Sequence, residues 1–415
     1  MKRLLFLAHR IPYPPNKGDK IRSFHVLAHV CRRYRVHLGA FVDSADDWKY
    51  ATLLKSMCAA TCFRPLPRMT AYLRSARGFV RNESLTASCY RDAVMAAWVQ
   101  RQVRDYGIDR FYVFSSCMGQ YVLPLLSKER QAVIDFVDVD SDKWRQYSNA
   151  KSGALRWLYA REHRRLLAYE RALAQRCNAA VFVTPREAQL FRALAPEAAH
   201  KVAHSGNGVD TQYFSPERSY PSPYARAERV LVFVGAMDYW ANVQAVRWFA
   251  REVFPAVLAT CPHARFYIVG TRPARQVLAL AAGAGVHVTG AVADVRPYLA
   301  HAAAAVVPLL IARGVQNKLL EAMAMGRCII ATPEAVAALE PRAQAACRVA
   351  GTAADFIAMS RAVLADDATA ADRTGRDSVL AEYRWERQLS RLDQLLAGAP
   401  AATAAADVGA SLEAG

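Results

Sequence analysis

Residues 305–332 read AVVPLLIARGVQNKLLEAMAMGRCIIAT. The runs 305–309 and 328–331 are short, apolar and rich in β-branched residues, the length of buried strands rather than of helices. Between them the apolar residues return at helical spacing. If a helix begins near Val315, then Leu319, Leu320 and Met323 face inward, while Lys318 and Glu321 lie three apart on one face. Strand, loop, helix and strand thus follow one another in a single short stretch, as in a βαβ unit.

The same alternation extends outward in both directions. Upstream lie strand candidates at 230–235, 266–270 and 286–289, and in the first half at 4–8, 36–42, 111–115, 133–137 and 180–184. Helical patterns separate them, as at 19–33, where Ile21, Phe24, Leu27, Val30 and Cys31 recur on one side. Such alternation predicts α/β architecture: two Rossmann-like, doubly wound parallel-sheet domains facing a central cleft, with ligands bound beyond the carboxyl ends of the strands. The expected division is an N-terminal domain over 1–214, a proline-rich linker at 215–228 (SPERSYPSPYARAE) and a C-terminal domain over 229–380. A closing helix at 381–396 and a disordered Ala/Gly-rich tail at 397–415 complete it.

Composition sets bounds on this reading. With 415 residues, 53% hydrophobic and 22% charged, the chain is an ordinary globular protein with material for two cores. Its net charge of +18 is unevenly spread. Residues 1–200 hold 33 Lys and Arg against 17 Asp and Glu, a net of +16, and the remainder carries +2. The basic half calls for an anionic partner: a nucleic acid, an acidic membrane surface or a phosphorylated substrate. Nine cysteines, odd in number and without CxxC pairs, read as buried thiols of a reducing compartment. The opening LLFLA stops at His9-Arg10, too short for a signal peptide, and the uncharged run 297–312 is too short to span a bilayer. A cytoplasmic protein is expected.

Four loops at predicted strand ends hold unusual residues. The first, 9–22 (HRIPYPPNKGDKIR), offers Gly18 just before a helix with Lys20 and Arg22 beside it, an anion site by helix terminus and cation. The plain alternative is a surface loop with Asp19 as N-cap. The second, 137–144 (VDVDSDKW), carries Asp138, Asp140 and Asp142, which could hold a metal, cap a helix or orient sugar hydroxyls; Lys143 argues against the metal. The third, 204–214 (HSGNGVDTQYF), with Asn207, Gly208 and Asp210, is a tight loop or a simple turn. The fourth, 313–326, holds Arg313, Gly314, Asn317, Lys318 and Glu321, a site or merely an exposed ion pair. The chain lacks GxxxxGK[ST], HExxH, GxSxG and a GxGxxG after its first strand. His25 and His29, four apart, have no evident third metal ligand.

Taken together, these stretches resemble GT-B glycosyltransferases, specifically the retaining enzymes of glycosyltransferase family 4. PLLIARGVQNKLLEAMAMGRCIIAT (308–332) resembles that family's donor-binding segment, with its glutamate at Glu321. GNGVDTQYF (206–214), VFVGAMDYWANVQAV (232–246), FYIVG (266–270) and VTGAVADVRPYLAHA (288–302) resemble further family elements. PYPPNKGDKIRSFH (12–25) and VDVDSDKW are closest to the sugar transferases associated with exosortase and PEP-CTERM exopolysaccharide systems. The chain departs from the family where Arg313 replaces a common glutamate and where Ala236, Met237, Asp238 and Asn242 replace usual cations. It departs again at Asp138, near the place of a common histidine.

The resemblance implies transfer of a sugar from a nucleotide donor, UDP- or GDP-linked, to a saccharide or lipid-linked saccharide acceptor, with retention and without metal or other cofactor. Gly18, Lys20, Arg22, Gly235, Asn242, Arg313, Gly314, Asn317, Lys318 and Glu321 are then the donor-binding set, and Asn207, Gly208 and Asp210 line the domain junction. Glu321 accepts the ribose hydroxyls, cations meet the diphosphate leaving group, and Asp138 or Asp140 orients acceptor or sugar. The arginines between 64 and 104, interleaved with Tyr72, Leu73, Phe79 and Val80, would dock on the anionic cytoplasmic face of the inner membrane. Nucleic acid is not the expected partner. A nucleotide-sugar epimerase of the same fold, a nucleic-acid-binding protein and a non-catalytic scaffold are the competing readings.

Overall fold

The computed structural model describes residues 1–312, 314–365 and 373–401. The chain forms two units, one comprising Met1–Gly206 and Leu389–Gly415, the other Asn207–Gln388.

The first unit is built on seven strands: β1 (Lys2–Ala8), β2 (Tyr34–Val42), β3 (Ala60–Pro65), β4 (Arg110–Phe114), β5 (Gln131–Val137), β6 (Ala179–Phe182) and β7 (Val202–His204). They pair in parallel in the order β3-β2-β1-β4-β5-β6-β7. The central strands are apolar on both faces, Leu4 to Leu7 being fully buried, because helices cover the sheet on either side. Met95, Trp98 and Val99 of the helix Ala93–Tyr106, and Leu173 and Ala174 of the helix Gly153–Arg176, fill the core on one face. The last helix, Trp385–Ala397, supplies Leu389, Leu392, Leu395 and Leu396, each at most 2% exposed.

The second unit holds β8 (Arg229–Val234), β9 (Ala264–Val269), β10 (Val286–Gly290), β11 (Ala304–Val307), β12 (Cys328–Ala331) and β13 (Arg348–Val349). Their order is β10-β9-β8-β11-β12-β13, again parallel. The stretch that opened the sequence reading is the crossover β11, helix Asn317–Ala324, β12. In both sheets the strand order reverses beside the first strand, at β1/β4 and β8/β11, and such reversals open a crevice at the strand carboxyl ends.

Every strand expected from the sequence is present, with ends moved by a few residues. The three unforeseen strands, β3, β7 and β13, are a half-buried edge strand and two very short end segments, where burial writes little pattern. The unit boundary falls at Gly206 and again at Gln388, against the expected 214 and 380. Residues 215–228 lie inside the second unit, where Tyr224 Oη donates to the Tyr298 carbonyl at 2.7 Å. Residues 397–401 continue from the last helix as described chain, with Ala401 5% exposed; the rest of the expected tail, 402–415, lies outside the described residues. No helix among the described residues is long and apolar enough to cross a membrane.

Candidate functional site

In the second unit the loops after β8 and β9 close on each other. The Gly235 N–H donates to the Val269 carbonyl at 3.0 Å, and the Met237 N–H to that of Thr271 at 2.9 Å. A Cβ on Gly270 would lie 1.6 Å from the Gly235 carbonyl oxygen, so only glycine permits this approach. A Cβ on Gly235 would meet Asn242 Nδ2 at 2.8 Å. Asn242, 4% exposed, donates from Nδ2 to the Ala236 carbonyl at 2.9 Å and accepts from Lys318 Nζ at 2.7 Å. It therefore couples the β8 loop to the helix Asn317–Ala324.

That helix begins after Gln316 without a side-chain cap, and Gly314 before it takes a left-handed φ of 62°. Leu319, Leu320 and Met323 are buried, as their spacing predicts. Lys318 and Glu321 are half-buried. Lys318 Nζ lies 4.9 Å from the centre of the Phe233 ring, a cation–π contact. Burial pushes the Glu321 carboxyl up to about 7, with Lys318 opposing, and pulls the Lys318 ammonium down to about 8, with Glu321 opposing. Asn207 Nδ2 donates to Asn317 Oδ1 at 3.4 Å. Gly208 packs against Trp385, whose backbone a Cβ would meet at 2.8 Å, and Asp210 Oδ1 accepts from the amides of Gln212 and Tyr213 at 3.1 and 2.9 Å. Asp210 is thus a turn former. Gly235, Asn242, Asn317, Lys318 and Asn207 are linked by direct contacts, Glu321 stands one turn along, and Arg313 lies outside the described residues.

In the first unit, Lys20 and Arg22 are paired internally. Lys20, 3% exposed, binds Asp47 Oδ2 at 2.6 Å. Arg22, 2% exposed, binds Asp135 Oδ2 at 2.8 Å and donates to the Gly206 carbonyl at 2.9 Å; Tyr112 Oη also donates to Asp135, at 2.5 Å. Lys20 and Arg22 thus tie the first turns of the helix Gly18–Cys31 to carboxylates of the first unit. Gly18 has open space where a Cβ would stand, so nothing in the protein demands glycine there. The N-cap position of the helix Gly18–Cys31 is Lys17, without a side-chain capping hydrogen bond, and Asp19 lies inside the first turn. Asp19 instead binds His9 at 3.4 Å and Arg10 at 2.9 Å, and these two partners overcome its burial and hold it far below the usual carboxylate range. His29 binds Asp393 at 2.9 Å.

Asp138 and Asp140 both contact Lys143 Nζ, at 2.9 and 2.8 Å, and Asp142 binds Arg145 at 2.6 Å. The two carboxylates hold the Lys143 ammonium protonated against its burial. Val137 has φ 67°, unusual for a β-branched residue, and this kink turns the loop out of β5. Among the described residues no cluster of three His, Cys, Asp or Glu side chains could hold a metal.

Two residues escaped the sequence reading. Arg272, 55% exposed at its side chain and with φ 51°, follows the Gly270 approach and binds Asp238 at 3.1 Å. Its place two residues after the glycine of a strand end was the available signal. Glu170, fully buried, has no hydrogen bond of ordinary length to either carboxyl oxygen, and burial together with Asp140 pushes its carboxyl up to about 8, with Ser141 and Lys143 opposing. Helical periodicity places it on the inner face of its helix but says nothing of its neighbours.

Residues 228–366 match the profile of a family described as Glycosyl transferases group 1. Solved structures superpose along nearly the whole chain. WaaG, a glycosyltransferase involved in lipopolysaccharide biosynthesis, has TM-score 0.63 at 15% identity, covering 94% of this chain and 99% of its own. The fold is GT-B. Anabaena HepE in complex with UDP and glucose has TM-score 0.64 at 13% identity, covering 96% of this chain and 100% of its own. The UDP-forming trehalose-phosphate synthase of Burkholderia xenovorans in complex with glucose-6-phosphate has TM-score 0.61 at 14% identity, covering 95% and 100%. No curated protein matches the chain by sequence.

Proposed function

We propose that the protein is a glycosyltransferase that moves a sugar from a nucleotide-sugar donor bound by the second unit to a saccharide acceptor. The observation that carries this reading is the Asn242–Lys318–Glu321 group at the strand carboxyl ends, within the segment that matches the Glycosyl transferases group 1 profile. Glu321 accepts the ribose hydroxyls, the Gly235–Gly270 approach admits the donor beside the backbone, and Lys318 and Arg272 meet the diphosphate charge as the leaving group departs. Protein cations then do the work for which other transferases use a metal. The HepE complex with UDP and glucose favours a UDP-sugar as donor.

The finer reading extends to the acceptor. Asp138 and Asp140, held by Lys143, orient acceptor hydroxyls, and transfer proceeds with retention. The acceptor is lipid-linked, in the assembly of a bacterial exopolysaccharide of the exosortase-associated kind. The basic first half suits an anionic cytoplasmic membrane face, on which the protein sits peripherally.

Calorimetric titration with UDP-, GDP- and ADP-sugars at one salt concentration tests the donor reading. One nucleotide class should bind to the wild-type protein, and Glu321→Gln should weaken it roughly tenfold, the loss of one charge-assisted hydrogen bond. Equal affinity in the two proteins would remove Glu321 from the site.

A further inference from the structure

An exposed apolar surface of the first unit lies on two helices, Arg68–Val80 and Gly153–Arg176. Val80 is 85% exposed, Met69 and Tyr72 72%, Leu73 64%, Trp157 56% and Leu155 51%. Met69, Tyr72, Leu73 and Val80 recur at helical spacing, so they form a stripe rather than isolated exceptions. Where the helices meet, Phe79 packs edge-on against Trp157 at 6.0 Å. Beside that contact a concavity of about 380 Å³ is lined by Asn82, Trp157, Arg161, Arg164 and Arg165.

Arg161 gives this concavity a built interior. It is 7% exposed, its Nη2 donates to the carbonyls of Phe79 and Glu83 at 3.2 Å each, and its guanidinium lies 4.6 Å from the Phe79 ring centre. Its buried Nη1 has no hydrogen-bond partner, with Glu162 4.0 Å away. The Glu162 carboxylate is itself filled, accepting from Ser84 Oγ at 2.7 Å and from the amides of Leu85 and Thr86 at 2.8 and 2.9 Å. Both walls are therefore fixed before any ligand arrives. Arg164 and Arg165 are exposed and have no ion pair among the described residues, and no acidic side chain lines the concavity. Two exposed guanidiniums beside a third that is fixed in the wall match a phosphate group.

We propose that this concavity receives the phosphate of an anionic lipid headgroup, while the stripe and Trp157 enter the interfacial layer of the bilayer. The flanking aliphatic side chains choose between sources of phosphate: Met69, Leu73, Val80 and Leu155 gain by entering lipid and gain nothing against a nucleic-acid backbone. The proposal rests on the membrane-facing part of the function above and is independent of the donor site, which lies in the other unit.

Sedimentation of the full chain with vesicles tests it. Binding is expected with mixed phosphatidylglycerol and phosphatidylcholine vesicles and not with phosphatidylcholine alone. The double substitution Arg164→Gln/Arg165→Gln should weaken binding by about thirtyfold. The exposed double substitution Leu73→Ser/Val80→Ser should weaken it by about tenfold, with thermal melting unchanged in both variants. Inorganic phosphate at millimolar concentration should not compete. Wild-type affinity in the arginine variant would overturn the pocket. Competition by inorganic phosphate or duplex DNA, with no effect of the apolar substitutions, would replace a lipid by a free or nucleic-acid phosphate. Absence of vesicle binding while nucleotide-sugar binding persists would overturn the membrane reading and leave the transferase reading standing.

Discussion

Glu321 and Lys318 show how much a spacing conveys and where it stops. Three residues apart on a helix, they could be an ordinary surface pair; burial beside Asn242 and Phe233 instead brings their titrations to about 7 and about 8. A ribose needs the ionised carboxylate and a diphosphate the protonated amine. Donor affinity should therefore peak between these values, falling on the acid side as Glu321 takes its proton and on the basic side as Lys318 loses its own. Calorimetry across pH 5 to 9 checks this, and Glu321→Gln should abolish the acid limb and move the basic limb to lower pH, since Lys318 loses the charge that holds its proton. Glu170 carries a second residue-scale prediction. Its folded value, about 8, exceeds the ordinary 4.5, so the unfolded chain gives up its proton first and stability declines from about pH 4.5 to pH 8. Urea denaturation of Glu170→Gln should accordingly show a gain at pH 8 and little change at pH 4.5. Arg22 and Asp135 make the converse case: Asp135→Asn leaves a buried guanidinium uncompensated and should cost about 3–5 kcal/mol.

At the scale of elements, the legible parts were those with strong local pattern. Central strands such as β1, β5 and β8 are apolar runs because both sheet faces are covered, and the inward face of the helix Asn317–Ala324 follows from its periodicity. β3, β7 and β13 were not legible, since β3 is half-buried along its length and β7 and β13 run for only three and two residues, too short to show a period. Loop glycines were visible as glycines, but their reasons differ. Gly18 has open space around it, whereas Gly270 could not carry a methyl group at 1.6 Å from the Gly235 oxygen. Gly270→Ala should thus disrupt the β8–β9 loop contact and weaken nucleotide-sugar binding at least as much as Glu321→Gln, while Gly18→Ala should leave it unchanged.

At the scale of the whole molecule, the chain builds its first unit from both of its ends. The last helix gives that unit Leu389, Leu392, Leu395 and Leu396, together with the Asp393–His29 pair and a bond from Gln131 Nε2 to the Leu395 carbonyl at 2.8 Å. Leu392→Ala or Leu396→Ala should each cost about 2–5 kcal/mol in chemical denaturation, a large penalty for a segment that reads as a terminal appendage. An unchanged midpoint would show that the first unit folds without this closure.

The sequence by itself determined the α/β class, two parallel sheets, most of the strands and the four loops, because hydrophobic periodicity records burial one element at a time. The tertiary structure alone decided which charges are available. Lys20, Arg22, Lys143 and Lys318 look alike in sequence; folding buries Lys20 and Arg22 against carboxylates, clamps Lys143 between two more, and lowers the proton affinity of Lys318. A charge's function is set by its partners and its solvent, and both come from residues far away along the chain.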